Sequence, residues 1–305
     1  MGEKRGKTLE RGSSGGGIVD DIRYKLKEPV FMMKQLLRKP LSAIGLTIIL
    51  LTLVMVIFPS QLSRYDPNDI QLSEKLLPPS GEHLFGTDNY GRDIFTRVVH
   101  GSRLSIVISI TAVGISLLIG VPLGIISGYY EKSIDLVMMR VMDVILAFPI
   151  FIFAMSLAAS LGAGIAATIY ATGIAGIPQY ARLVRAQTLS VKKNQYIEAA
   201  IAAGASDFQI MFEHVLPNVL SPVIVLATLG MGNAILISAG LSFIGLGVKP
   251  PTPEWGIIIS EGRDYLMQGH WWLAGFPGFA IMSTVLGFNL LGDGLRDILD
   301  PRLRR

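Results

Sequence analysis

The stretch "LSIVISITAVGISLLIGVPLGIIS" (104–127) runs for 24 residues without one charged side chain. As a helix it would be about 36 Å long, more than the ~30 Å of hydrocarbon in a bilayer. A helix of a soluble core needs one apolar face, whereas this one is apolar all round. It reads as a membrane span, and its neighbours must be read against that.

Five further windows are long and predominantly apolar. They are 41–58 ("LSAIGLTIILLTLVMVIF"), 135–161, 163–181, 219–243 and 272–292. Composition agrees with them. Of 305 residues, 50% are hydrophobic and only 16% charged, against ~25% charged in an ordinary soluble domain. Mean hydropathy is +0.50. The fold class is an all-α membrane protein with six transmembrane helices. The absence of cysteine removes disulfides, thiol catalysis and cysteine–metal sites. Residues 1–40 hold ten Lys/Arg and the patch "RGSSGGG", which predicts a solvated basic tail without the pattern of a cleavable signal peptide.

Six spans put both termini on one side. With the N-terminus inside, the cytoplasmic segments carry nineteen Lys/Arg and the outer ones seven. The positive-inside rule therefore predicts N-in, C-in. Trp255, Trp271 and Trp272 then fall outside, and Trp271 and Trp272, flanking the last span, read as interfacial anchors. Gly120, Gly124 and Gly128 form two overlapping G-x-x-x-G units, a helix-packing signal. Pro122, Pro149 and Pro178 predict local bends. Arg140 and Asp143, three residues apart near the inner end of the third span, are expected to form a structural intramembrane pair.

Between the fourth and fifth spans lies "YIEAAIAAGASDFQIMFEHVLPN" (196–218), too polar for a span. Asn194 is positioned to cap a short helix over "QYIEAAIAA", and Gly204 to end it in a left-handed turn. "SDFQ" is a capping box, with Ser206 at N-cap and Gln209 at N3. It predicts a second short helix to about His214, closed by Pro217. Phe208, Met211 and Phe212 would face water, which predicts a docking surface.

These residues carry a resemblance. Glu198-Ala199-Ala200, Gly204 and His214-Val215-Leu216-Pro217 are spaced as in the EAA loop of ABC importer permeases, with His214 where isoleucine is usual. "FGTDNYGRDIFTRVVHGSRLSI" (85–106), "LSFIGLGVKPPTPEWG" (241–256) and "NLLGDGLRDILDPRLR" (289–304) look like the dipeptide/oligopeptide branch. The first helix and the loop after it resemble the N-terminal extension of that branch's C-type permeases. The resemblance implies a type I importer (MetI-like) permease fold. Its parts would be a basic tail (1–40), an extension (41–103), and a core (104–305) with a coupling loop at 196–218. It implies a multi-pass protein of the cytoplasmic membrane that works with a sister permease as a heterodimer, two cytoplasmic ATPase subunits and an extracytoplasmic substrate-binding protein. It also implies that ATP and Mg²⁺ act on those ATPases, with no cofactor, metal or nucleic acid on this chain. The coupling residues it assigns are Glu198, Ala199, Ala200 and Gly204; Phe208, Phe212, Leu216 and Pro217 complete the surface. Relatives of the same class carry oligosaccharides or nickel chelates.

Other motifs fall away. "MGEKRGKT" has three residues between Gly2 and Gly6, whereas a P-loop needs four and a preceding strand. "GSSGG" (12–16) lacks the strand–turn–helix frame of a nucleophile elbow. His83, His100, His214 and His270 are scattered and no H-E-x-x-H occurs. In "DNYGRDIFTR" (88–97) paired charges are expected to stabilise the fold rather than form a catalytic carboxylate dyad. A stand-alone secondary carrier would need ionisable groups near midplane, where the other spans have essentially none. A membrane enzyme would need a nucleophile or metal cluster. The chain is therefore read as a transport subunit without covalent chemistry of its own.

Overall fold

A computed structural model of the protein describes residues 35–299, and most of the basic tail lies outside them. The described residues form a helical bundle. The main helices are α1 (Pro40–Ile57), α2 (Ile94–Tyr130), α3 (Lys132–Leu146), α4 (Ile150–Leu161), α5 (Ile165–Val191), α6 (Gln195–Ala202), α7 (Asp207–Phe243), α8 (Trp255–Gly262) and α9 (Trp272–Leu299). By length and composition α1, α2, α7 and α9 can each cross a membrane, and α3 with α4 can form a bent fifth span. The chain is a multi-pass membrane protein.

Three departures from the sequence reading have local causes. The second span starts ten residues early, at Ile94, because the Asp93 side chain accepts from the Thr96 N–H at 2.7 Å and caps it. The third span is not one helix. It turns by 90° between α3 and α4, where Pro149 removes an N–H and disfavours helix at the residue before it. The fourth runs on to Val191 and is 27 residues long, yet it is not among the helices apolar enough to cross alone. Pro122 and Pro178 lie inside continuous helices.

The α2–α5 pair is held by close backbone approach. A methyl group at Gly124 would lie 2.6 Å from the Ala181 carbonyl oxygen, and one at Gly128 2.7 Å from Thr188 Cβ. Glycine at these positions lets the two backbones touch, and lipid supplies little other force to bring helices together. One helical turn above Gly120, the Ser116 hydroxyl donates to the Gly173 carbonyl at 2.6 Å. α1 lies along α9, with Thr52 and Thr284 hydroxyls 3.3 Å apart and Lys39 Nζ 2.7 Å from Asp297.

At one end, the segment between α1 and α2 folds over the bundle with α8. Arg97, fully buried, donates to Glu261 at 2.8 Å and to the Pro67 carbonyl at 3.0 Å. Arg92 donates to Asp88 at 2.6 Å and Glu261 at 3.0 Å. The charges of 88–97 are thus spent on tying the cap together. The tryptophans are mostly core. Trp255 is fully buried and its Nε1–H donates to the Val98 carbonyl at 2.9 Å. Trp272 is 8% exposed and belongs to the buried cluster with Ile94, Val98 and Leu273, its Nε1–H facing the Thr87 carbonyl. The anchoring role expected of the last pair fits Trp271 alone, which is 55% exposed.

Candidate functional site

The polar stretch from the end of α5 into the start of α7 folds as a compact knob at the other end of the bundle. Asn194 is the N-cap of α6, but its side chain does not bond the helix and points to Tyr196 Oη at 3.4 Å instead. The C-terminal end of α6 is fully specified. Gly204 has φ +86°. The Ala205 N–H bonds the Ala200 carbonyl at 3.1 Å and the Gly204 N–H bonds Ile201 at 3.0 Å. That is a Schellman motif, and it turns the chain sharply. The capping box follows at once: Gln209 Oε1 accepts from the Ser206 N–H at 2.9 Å, and Ser206 Oγ from the Gln209 N–H.

The expectation that a second short helix closes near His214 at Pro217 does not hold. The helix, which is the start of α7, widens into a π turn over Ile210–Val215 and continues to Phe243. The Leu216 N–H reaches back five residues to the Met211 carbonyl. Pro217 has no N–H to lose, and the Asn218 side chain donates to the His214 carbonyl at 2.6 Å, so the helix passes over the proline.

Two isoleucines nail the knob to the bundle. Ile197 is fully buried and Ile210 1% exposed. They pack with Val215 and Val219 against Ile125, Tyr129, Val184 and Val191 of α2 and α5. Each is worth roughly 1.5–3 kcal/mol in apolar burial. Polar ties add direction. Tyr129 Oη donates to Asp207, and Lys192 Nζ donates to the Tyr129 carbonyl at 2.7 Å and to Glu131 at 2.8 Å. The Lys192 ammonium holds the exposed Glu131 carboxyl below its ordinary range.

The opposite face of the knob is open. Phe208 is 64% and Phe212 54% exposed, and their rings stack with centroids 4.4 Å apart. Tyr196, Glu198, Ala199, Gly204 and Pro217 are exposed too, while Ala200 and Leu216 are half-buried. The predicted surface residues therefore lie on one small structure. Glu198 makes no ion pair among the described residues. A rigid apolar surface with an unspent carboxylate suits binding a partner. It offers no nucleophile–base pair, and no group of three metal-ligating side chains occurs among the described residues.

Arg140 and Asp143 do not pair. Asp143 meets Arg182 of α5 at 2.5 Å, while Arg140 is exposed. The neighbouring Asp135 likewise takes Arg185 of α5. α5 lies close to the acidic face of α3, and its two arginines reach the carboxylates that a within-helix rule assigned elsewhere. The sequence reading also missed Tyr129, Lys192 and Asp207. No local spacing flags them, because their contacts span 61 to 78 residues.

Residues 120–305 match the family described as "Binding-protein-dependent transport system inner membrane component", and residues 32–79 that described as "N-terminal TM domain of oligopeptide transport permease C". The chain is 44% identical over 271 residues to the dipeptide transport system permease protein DppC of Alkalihalophilus pseudofirmus, covering 89% of each chain. It is 44% identical over 280 residues to the probable D,D-dipeptide transport system permease protein DdpC of Escherichia coli strain K12, covering 92% of this chain and 93% of the other. It is 43% identical over 269 residues to the glutathione transport system permease protein GsiD of another Escherichia coli strain, covering 88% of each. In three dimensions it resembles a chain of the MetNI methionine ABC transporter in an inward-facing conformation. The TM-score is 0.55 and the identity 19%, over 67% of this chain and 96% of that one.

Proposed function

The chain belongs to the family of binding-protein-dependent transport system inner membrane components, and from that premise we propose its cargo, its orientation and the partner of its knob. It is a permease subunit of an ATP-driven ABC importer, not an enzyme; the ATP is hydrolysed by separate subunits.

The cargo is a di- or oligopeptide. This reading is supported by relatives named for dipeptides and glutathione that align with most of the chain. A peptide's amides and charged ends lose several kcal/mol or more on entering hydrocarbon, so it needs a shielded path. α5 supplies the sixth crossing, both termini lie in the cytoplasm, and the knob therefore faces the cytoplasm. The excess of Lys/Arg on that side supports this. The partners are a sister permease, two ATPase subunits on which ATP and Mg²⁺ act, and an extracytoplasmic binding protein. ATP binding draws the ATPases together, the docked knob moves with them, and the helices turn the path outward.

The observation that carries this reading is the exposed Phe208–Phe212 stack on a knob anchored by Ile197 and Ile210. The test is native mass spectrometry of the protein purified in mild detergent with its native partners, coupled to analysis of solutes released from the binding protein. A second permease, two ATPase copies and released peptides are expected. A lone chain, reproducibly free of ATPase, would overturn the docking reading. A released sugar or nickel chelate would overturn the cargo alone.

A further inference from the structure

A cavity of about 350 Å³ opens among α2, α4, α5 and α7. That volume lies in the range of small-molecule pockets. Phe151 and Leu236 give it apolar walls, while Thr172, Gln179, Tyr180 and Asn233 bring polar groups to it. Every residue lining it is uncharged.

Three observations set it apart from a packing void. First, Gln179 and Asn233 are exposed, each on a long helix of the bundle. The 28 residues around Asn233, Leu216–Phe243, contain no charged side chain. A carboxamide turned toward acyl chains there would be unsatisfied and costly, so this face looks onto water or another polar group. Second, Thr172 is 4% exposed and its buried Oγ1 has no hydrogen-bond partner. A helical threonine normally bonds the carbonyl one turn back, and this one leaves its hydroxyl uncommitted beside the cavity. Third, glycine makes room in the wall for two hydroxyl groups. A methyl group at Gly176 would lie 2.5 Å from Ser116 Oγ, and one at Gly230 would collide with Tyr180 Oη.

We propose that this cavity is an intramembrane station on the transport path, where Gln179 and Asn233 hydrogen-bond the backbone amides of a short peptide in transit. The proposal rests on the importer reading above. A carboxamide presents a donor and an acceptor side by side, the complement of a peptide group. Neutral hydrogen bonds recognise the backbone common to all peptides and ignore side-chain charge. They are also weak enough to release, as a transit site requires.

The test uses the complete transporter in liposomes. The chain lacks cysteine, so Gln179→Cys and Asn233→Cys each place one thiol in it. Both are expected to react with a charged, water-borne methanethiosulfonate, and to react more slowly while an equimolar mixture of alanine di-, tri- and pentapeptides is being transported. Leu118→Cys, at an apolar side chain of α2 that is 78% exposed, is expected to stay inert. Gln179→Leu and Asn233→Leu should raise the KM for peptide uptake by about three- to tenfold, the loss of one neutral hydrogen bond. ATP hydrolysis stimulated by the loaded binding protein should not change, and Asn233→Ser should recover part of the loss. Unreactive thiols at 179 and 233 would overturn the station, as would unaltered uptake. A parallel fall in uptake and ATP hydrolysis would overturn it too, by assigning these side chains to assembly. If the wild-type transporter carries none of the peptides, the cargo reading fails, and the thiol reaction still reports whether the cavity is wet.

Discussion

Tyr129 Oη donates a 2.8 Å hydrogen bond to Asp207 Oδ1, and so joins the last turn of α2 to the first turn of the knob's second helix. A hydrogen bond to a charged acceptor is worth ~1.5–3 kcal/mol when shielded from water, and less at a half-open site such as this. Tyr129→Phe removes it and keeps the ring in its apolar cluster. The expected result is a complex that assembles normally but imports several-fold less solute per ATP hydrolysed. Unchanged coupling would show that the isoleucine anchors suffice.

Gly204 separates strain from collision. Its φ is +86°, yet a side chain there would meet nothing within 4 Å. Gly204→Asn, which tolerates the left-handed region, should retain most uptake. Gly204→Val should cost about 1–2 kcal/mol or more of local stability and abolish uptake with the protein still in the membrane. Equal activity of the two variants would remove Gly204 from the docking geometry. Glu198→Lys, which reverses an exposed and unpaired charge, should also abolish uptake without reducing the amount of protein in the membrane.

The Phe208–Phe212 stack should be covered when the ATPase is present. Single cysteines at 208 and 212 are expected to label rapidly in the isolated permease and slowly in the complex. A cysteine at Tyr170, exposed on α5 away from the knob, should label alike in both. Identical labelling at 208 and 212 with and without the ATPase counts against docking there.

Glu254 is fully buried. It accepts from the Ile257 N–H and the Ser105 hydroxyl, both at 3.1 Å, and so fastens the loop before α8 to α2. Burial pushes its carboxyl above the ordinary carboxylate range, against the pull of these donors. In the unfolded chain the group ionises at its ordinary value. As pH climbs from that value through the raised one, the unfolded state sheds its proton first, and folding loses stability. Thermal unfolding in detergent across this window should show that slope in the wild type and a flatter one in Glu254→Gln. Glu254→Ala should lose ~1–3 kcal/mol at every pH, because the cap and the buried donors are left unpaired. An equal slope in Glu254→Gln and wild type would place the pH dependence elsewhere.

The legible parts were those that local rules govern. The spans at 41–58, 219–243 and 272–292 follow from uncharged length, and the Gly204 turn and the Ser206–Gln209 box from turn and cap chemistry. Errors arose wherever a distant element decided. Asp143 has Arg140 one turn away, but Arg182 of α5 comes closer in space. Trp272 sits at the head of a span, as an anchor would, yet the segment after α1 folds over it. Pro217 looks like a stop because the π turn that accommodates it has no sequence signature. The cavity beside Asn233 was invisible for the same reason, since four helices must meet before it exists.

The π turn has a mechanical consequence. Because α7 passes without a break from the knob into the bundle, Phe208 and Asn233 sit on one continuous helix, at most about 38 Å apart along it at ~1.5 Å per residue. A proline stop would have put a loose joint between them. Without it, a swing of the helix at one end reappears at the other as a displacement in proportion to its length, and the chain carries its own lever.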